Sequence, residues 1–164
     1  MTNPQSHEHR DQLDQDVYLA LSKTSVLLDD LDRRLFASYD LSARQFWALS
    51  HLEERQGRPM AELGHLLLTD KSNVTGIVDH LERSGLAART PAAHDRRVIH
   101  ITLTPKGRRL RDLVSEQHRA RVHEVLEAMD SQRLQQLLAA VHEIQQHLSE
   151  HLARAHPTEL AALG

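Results

Sequence analysis

The sequence contains no cysteine among its 164 residues. This absence excludes a disulfide framework, a thiolate zinc cluster and a thiol-based redox sensor. Aromatic residues are also scarce, at 3% of the chain. Leucine, alanine, arginine, glutamate and glutamine dominate instead, and all of them favour helices. The composition therefore predicts a mainly helical protein.

Long apolar segments and catalytic signatures are missing as well. No stretch approaches the roughly 20 consecutive apolar residues that a membrane-spanning helix needs, and the first 16 residues are polar and lack the apolar core of a secretory signal. No glycine-rich phosphate loop, nucleophile elbow or paired-carboxylate motif is evident. We therefore expect a cytoplasmic protein that is not an enzyme, binds no cofactor and does not enter a membrane.

The charge of the chain is unevenly distributed. The formal net charge is −3, but residues 71–111 carry nine cations and three anions, a net charge of +6 that leaves −9 for the rest. A basic segment on an acidic chain suggests one surface that binds a polyanion such as nucleic acid. Charges scattered over a solvated surface are the alternative.

Apolar spacing predicts a long amphipathic helix over residues 13–38, after a polar tail (1–12) that we expect to be disordered. Its apolar positions are Leu13, Val17, Leu21, Leu28, Leu31 and Leu35. A second helix start follows at Ser42, where Gln45 completes a capping box and Leu41 with Phe46 has the spacing of a hydrophobic staple. This helix should end near Gly57.

Two short helices come next. Pro59 suits the first turn of a helix from Met60 to about Leu68. After a break at Thr69 and Asp70, a further helix covers Lys71 to Ser84, and Gly85 is placed to adopt the left-handed conformation that ends helices.

The spacing of apolar residues then changes from that of a helix to that of a strand. Residues 86–90 are short and extended, and residues 98–103 alternate β-branched with polar side chains, which predicts a β-hairpin. Thr104 and Pro105 have the N-cap and first-turn positions of a long helix. We call the hairpin and its basic loop the wing.

The C-terminal third, residues 105–154, reads as two amphipathic helices separated at the capping residue Asp130. Together with residues 13–38, these helices have more apolar surface than the small unit at 41–104 can cover. A homodimer would bury the excess, and a monomeric helical bundle is the alternative. The predicted fold is thus mainly α with a two-stranded β wing: a winged helix-turn-helix DNA-binding domain (41–104) flanked by long dimerisation helices (13–38 and 105–154).

The helix from Lys71 to Ser84 has two distinct faces. An apolar stripe of Val74, Ile77, Val78 and Leu81 would attach it to the domain. Short polar side chains and a glycine on the other face would let it lie close to base edges in a major groove, and its N-terminal N–H groups could bind a phosphate. The candidate DNA-binding residues here are Lys71, Ser72, Asn73, Thr75, Gly76, His80 and Arg83. A merely solvated helix face is the alternative.

The loop of the hairpin carries Asp95, Arg96 and Arg97. An arginine at the tip of a β-hairpin can reach a narrow minor groove, where the negative potential is enhanced. A polar helix followed within a dozen residues by an arginine-tipped hairpin is the arrangement of a winged helix. The combination therefore favours double-stranded DNA as the partner.

These segments resemble the MarR family of winged helix-turn-helix transcriptional regulators. The resemblance rests on Leu63–Leu86, on Asp95-Arg96-Arg97-Val98, on Leu103–Gly107 and on Leu41–Phe46, in that family's order. It extends over roughly residues 13–152.

The resemblance implies an obligate homodimer whose first helix and last two helices form the interface. Residues 71–84 would be the recognition helix, Arg97 would enter the minor groove, and Asp95 would support the wing by ion pairing. The family also implies a repressor that leaves a pseudo-palindromic operator when a small phenolic or lipophilic effector binds.

Further residues could extend this function. Trp47 and His51 lie one helical turn apart and could line an effector pocket, although simple packing is the alternative. His147 and His151 have the spacing of two zinc ligands on one helix face, but no third ligand is evident. A zinc-responsive regulator of the same fold, and a helical dimer that acts only through protein partners, remain alternatives.

Overall fold

The computed structural model describes residues 4–54, 57–67, 69–91 and 98–155. The chain divides into two compact units, Met1–Ser115 and Glu116–Gly164. The elements in chain order are α1 (Pro4–Ala37), α2 (Ala43–Ser50), β1 (Arg58–Pro59), α3 (Met60–Leu66), α4 (Lys71–Arg83), β2 (Ala87–Pro91), β3 (Ile99–Leu103), α5 (Pro105–Leu126) and α6 (Ser131–Ala155). Among the described residues, no helix is long and apolar enough to cross a bilayer.

Helix α1 starts earlier than the apolar spacing predicts. Residues 4–12, assigned above to a disordered tail, are helical. Polar pairs one turn apart connect this segment to the apolar part: Arg10 bonds Asp14 at 2.8 Å and Gln12 bonds Asp16 at 3.0 Å. Such pairs stabilise a helix without needing an apolar face, so an apolar pattern alone does not detect them.

Helix α2 begins as predicted. The Ser42 hydroxyl accepts the Gln45 N–H and the Gln45 side chain accepts the Ser42 N–H, which together form the capping box. The helix ends at Ser50, however, and not near Gly57. Just beyond the helix end, the Glu53 carbonyl oxygen accepts the Leu103 N–H at 3.0 Å, which connects the chain to the sheet.

The sheet has three antiparallel strands in the order β1-β3-β2. It contains the predicted two-stranded wing, β2 and β3, and one strand that the sequence pattern does not predict. The additional strand is β1, where Arg58 pairs with Ile101 and Pro59 with His100. Pro59 precedes α3 and does not lie in its first turn. A proline is acceptable there because β1 is an edge strand, in which a missing N–H need not interrupt a ladder.

The core of the first unit lies between α1, α2, α4 and the sheet. The rings of Phe36 and Phe46 stack at 4.3 Å and are almost completely buried. Val114 of α5 belongs to the same core. The remaining buried apolar residues are Leu35, Leu41, Ala48, Leu49, Leu52, Leu63, Val74, Ile77, Val78, Leu81, Leu86, Ala87, Ile101 and Leu103.

The connection from α4 through the sheet to α5 contains two glycines with different roles. Gly85 has a φ of 69°, which confirms the left-handed position predicted at the end of α4. Gly107 allows the start of α5 to approach the backbone of Leu86 closely, because a Cβ at Gly107 would lie 1.9 Å from the Leu86 carbonyl oxygen. Thr104 is the predicted N-cap of α5, and its hydroxyl accepts the Gly107 N–H at 3.0 Å.

Candidate nucleic-acid interface

Helix α4 has the two faces that the sequence predicts. Val74, Ile77, Val78 and Leu81 are all buried, at 9% exposure or less. On the other side, Ser72, Asn73, Gly76 and Arg83 are exposed, while Thr75, Asp79 and His80 are half-buried. A helix attached on one side to the core thus presents short polar groups on the other.

The start of α4 is organised by Asp70, its N-cap residue. One carboxylate oxygen accepts the Asn73 N–H at 2.9 Å and the Ser72 hydroxyl at 2.6 Å, and the other accepts the Asn73 side-chain amide at 2.8 Å. The hydrogen bond from Ser72, supported by those from Asn73, lowers the pKa of Asp70 below its ordinary value. One of the N–H groups predicted to bind a phosphate is therefore occupied by the protein itself.

This arrangement also fixes what Ser72 and Asn73 present outward. An ionised carboxylate can only accept hydrogen bonds, so Ser72 must donate its hydroxyl proton to it and Asn73 must turn its NH₂ group toward it. The serine oxygen and the Asn73 amide oxygen are left to accept from another molecule. From the sequence, Asp70 is predicted only to lie in a break between two helices, and this effect on its two neighbours is not detected.

Gly76 lies on the exposed face of α4, between two turns of polar residues. A Cβ at this position would meet no atom within 4 Å. The helical fold therefore does not require glycine here, although glycine destabilises a helix relative to alanine. The missing side chain leaves the backbone of α4 open to a closely approaching ligand.

Arg83 is exposed near the C-terminal end of α4. Its Nε donates to the Asp79 carbonyl oxygen at 3.2 Å. This bond uses one of the five guanidinium N–H groups, so the others can donate to a phosphate or a base.

Arg89 on β2 was not among the predicted site residues. Its guanidinium donates to Asp79 and to Glu82, each at 2.5 Å, and its backbone N–H donates to Glu82 at 3.2 Å. The bond to Asp79 is the main reason that the pKa of Arg89 is raised above its ordinary value. Arg89 thus connects the outer edge of β2 to the last two turns of α4.

Several other cations of the basic segment also have structural partners. Lys106 donates to the Ser84 carbonyl oxygen at 2.8 Å, Arg108 pairs with Glu54 at 3.2 Å, and Arg111 donates to the Leu52 carbonyl oxygen at 3.1 Å. The excess of positive charge in residues 71–111 therefore overstates the number of cations available to a polyanion.

The basic loop of the wing lies outside the described residues, and so do Asp95, Arg96, Arg97 and the side chain of Lys71. The strands that carry the loop are described. They pair antiparallel from Ala87 with Leu103 to Pro91 with Ile99. The predicted hairpin is therefore present, directly after α4.

The candidate effector residues lie on α2 and just after it. Trp47 is 38% exposed, and its ring has edge contacts with Phe36 and Phe46 at centroid distances of 6.2 and 5.2 Å. His51 follows one turn later, where its N–H donates to the Trp47 carbonyl oxygen at 3.2 Å. Trp47 thus packs against two core aromatic rings and remains partly exposed.

The two candidate zinc ligands, His147 and His151, are exposed on α6. Within the described ranges, no group of three or more His, Asp or Glu side chains is placed to hold a metal ion. A pair of imidazoles on one helix face leaves the tetrahedral shell of Zn²⁺ incomplete.

Known proteins resemble both this sequence and this fold. A model of the MarR family matches residues 39–98. The chain is 33% identical over 132 residues to the HTH-type transcriptional regulator PecS of Dickeya dadantii, covering 78% of this chain and 79% of PecS. It is 31% identical over 122 residues to the transcriptional repressor MprA of Escherichia coli K12, covering 73% and 68%. The crystal structure of CouR from Rhodococcus jostii RHA1, bound to p-coumaroyl-CoA, superposes with a TM-score of 0.72 at 26% identity, covering 80% of this chain and 93% of that one.

Proposed function

The chain belongs to the MarR family of winged helix-turn-helix transcriptional regulators, and on this ground we propose that it is a homodimeric repressor. It binds a pseudo-palindromic operator in double-stranded DNA and leaves it when a small phenolic or lipophilic molecule binds. The observation that carries this proposal is α4, whose polar face is exposed and whose apolar face is buried, followed directly by the β2–β3 hairpin.

In this proposal α4 is the recognition helix. Ser72, Asn73 and Thr75 read base edges in the major groove, and Gly76 allows the backbone to come close. His80 and Arg83 contact the DNA farther along the helix, and Lys71 contacts it at the helix start. The wing adds Arg96 and Arg97, with Arg97 in the minor groove and Asp95 supporting the loop.

Apolar surfaces on the long helices support dimerisation. On α1, α5 and α6, large apolar side chains are between 36% and 68% exposed in the single chain. They are Leu13, Val17, Tyr18, Leu19, Leu21, Val26, Leu27, Leu28, Leu113, Val122, Val125, Leu137, Leu138, Ile144, Leu148 and Leu152. Exposed apolar surface of this extent is typical of an interface. A two-fold dimer would place two recognition helices about 34 Å apart, one turn of DNA.

The effector part of the proposal rests on Trp47 and His51. A partly exposed aromatic ring can stack against a phenolic ligand, and His51 can hydrogen-bond a hydroxyl group or carboxylate. CouR, a structural neighbour, is bound to p-coumaroyl-CoA, the thioester of a phenolic acid, and this supports a phenolic effector. Release of DNA requires that the effector bind the DNA-free form of the dimer more tightly than the bound form.

The DNA-binding proposal is tested with Arg97→Ala. Operator affinity should fall, while sedimentation still gives a particle of twice 18.7 kDa. The affinity of the wild type should also fall steeply with salt, because several phosphates are neutralised. Unchanged affinity in Arg97→Ala would refute the wing assignment, and a flat salt series would indicate a protein partner.

The effector proposal is tested by the fluorescence of Trp47, since the chain has a single tryptophan. A phenolic carboxylate that releases the operator should change this fluorescence over the same concentration range. His51→Ala should weaken binding of the ligand and leave the affinity for the operator unchanged. Release of DNA without a change in fluorescence would place the effector elsewhere.

A further inference from the structure

Arg89 makes an ion pair that bridges the two elements proposed to contact DNA. Asp79 and Glu82 lie on the last two turns of α4, and Arg89 lies in the middle of β2. The Arg89 side chain is 30% exposed, against 48% for Asp79 and 40% for Glu82. The guanidinium donates to both carboxylates at 2.5 Å, one through each terminal nitrogen, and such charge-assisted hydrogen bonds are stronger than those between neutral groups.

The backbone of β2 joins the same contact. β2 is an edge strand, and at Arg89 its N–H donates to Glu82 of α4 at 3.2 Å. Both the main chain and the side chain of Arg89 are therefore attached to α4. Two residues after Arg89, β2 ends at Pro91, where the basic loop of the wing begins.

The Asp79 carboxylate lies on the face of α4 that is proposed to approach DNA. Ser72, Gly76, Asp79 and Arg83 are spaced at four, three and four residues, so they form one ridge along the exposed face of α4. A carboxylate in the middle of a ridge that faces phosphates would repel them. Arg89 compensates this charge.

We propose that Arg89 is a positioning residue that fixes β2, the first strand of the wing, to the recognition helix, so that α4 and the strands of the wing meet DNA as one rigid body. The inference rests on the proposed function. When two contacts belong to one rigid body, the first contact formed holds the second at its site. Less conformational freedom is then lost on binding. Arg89 itself contacts no phosphate in the proposed complex.

The first experiment uses two substitutions that would ordinarily strengthen DNA binding. The double variant Asp79→Asn, Glu82→Gln makes the domain more positive by two charges, and added positive charge raises affinity for DNA. We expect operator affinity to fall by about tenfold, the size of one lost contact, because Arg89 loses both carboxylates. Equal or tighter binding would overturn the proposal.

A double-mutant cycle tests the link to the wing. In the wild-type background, Arg97→Ala should lower operator affinity by a certain factor. In an Arg89→Met background that factor should be smaller by about threefold, because β2 is no longer fixed to α4. A purely stabilising role of Arg89 would leave the factor unchanged, and that result would refute the inference. If Arg89→Met does not fold, the Asp79→Asn, Glu82→Gln background takes its place in the cycle.

Arg58 provides the matched control. Its side chain is also 30% exposed, lies on an edge strand and pairs with two carboxylates, Glu62 and, at 4.0 Å, Glu53. Arg58→Met should not change the loss of affinity caused by Arg97→Ala. A change as large as that caused by Arg89→Met would overturn the proposal.

If the wild type binds no operator, the proposed function fails. If it binds through Arg97 without coupling to Arg89, only this inference fails.

Discussion

Asn73 donates both its backbone N–H and its side-chain amide to Asp70, at 2.9 and 2.8 Å. The residue proposed to read a base is thus held by the residue that caps its helix. Since the amide nitrogen is turned toward the carboxylate, the amide oxygen remains available as an acceptor. Adenine and cytosine present exocyclic NH₂ donors in the major groove that match it.

We therefore predict that Asp70→Ser relaxes the preference for adenine or cytosine at one position of each half-site. Serine can still cap the helix, but its single oxygen cannot hold both Ser72 and the Asn73 amide. Selection of bound duplexes from a randomised pool measures the preference. In an Asn73→Ala background, Asp70→Ser should have no further effect at that position. A preference that survives Asp70→Ser unchanged would contradict the prediction.

The same carboxylate makes the stability of α4 dependent on pH. Because the pKa of Asp70 in the folded protein is below its ordinary value of 3.8, its stabilising effect is complete above that value and is lost as the pH falls through the folded-state value. The wild type should melt at a higher temperature than Asp70→Ala at pH 7. This difference in melting temperature should disappear as the medium is acidified below pH 3.8. A difference that stays constant would show that the ionised form is not responsible.

Gly76→Ala should separate stability from DNA binding. The added methyl group meets no atom within 4 Å, and replacing glycine by alanine in a helix stabilises it by about 1 kcal/mol. The melting temperature should therefore rise while operator affinity falls, because the methyl group keeps α4 away from the bases. A variant that is more stable and binds as tightly as the wild type would show that DNA does not approach Gly76 closely.

Gly107→Ala should have the opposite effect on stability. The new Cβ would lie 1.9 Å from the Leu86 carbonyl oxygen, so the start of α5 must move away from the strand connection. Overpacking of this kind costs roughly 1–3 kcal/mol or more. Thermal unfolding, compared with Gly76→Ala as a glycine-to-alanine control, measures the loss. Equal melting temperatures for the two variants would contradict the assigned close approach.

Features that depend on neighbouring residues in the sequence were predictable. The spacing of Val74, Ile77, Val78 and Leu81 defines the buried face of α4 because helical periodicity is local. The capping box at Ser42 is likewise a pattern four residues long. Both are confirmed by the structure.

Features that depend on packing between distant segments were missed. Strand β1 is two residues long, too short for any periodicity, and Pro59 is equally suited to a helix start. The partners of Arg89 lie seven and ten residues before it, on another element. Only the packing of β2 beside α4 brings them together, so composition showed Arg89 as one more cation of a basic segment.

Selection from randomised duplexes tests whether a dimer of this chain reads DNA sequence through α4 and the wing, as we propose. The affinity of the enriched duplex is then measured against a scrambled one at the same salt concentration. We expect an inverted repeat with half-site centres about 10 base pairs apart, bound at least about 10³-fold more tightly than the scrambled duplex. Equal affinity for the two duplexes, or enrichment of no sequence, would contradict it.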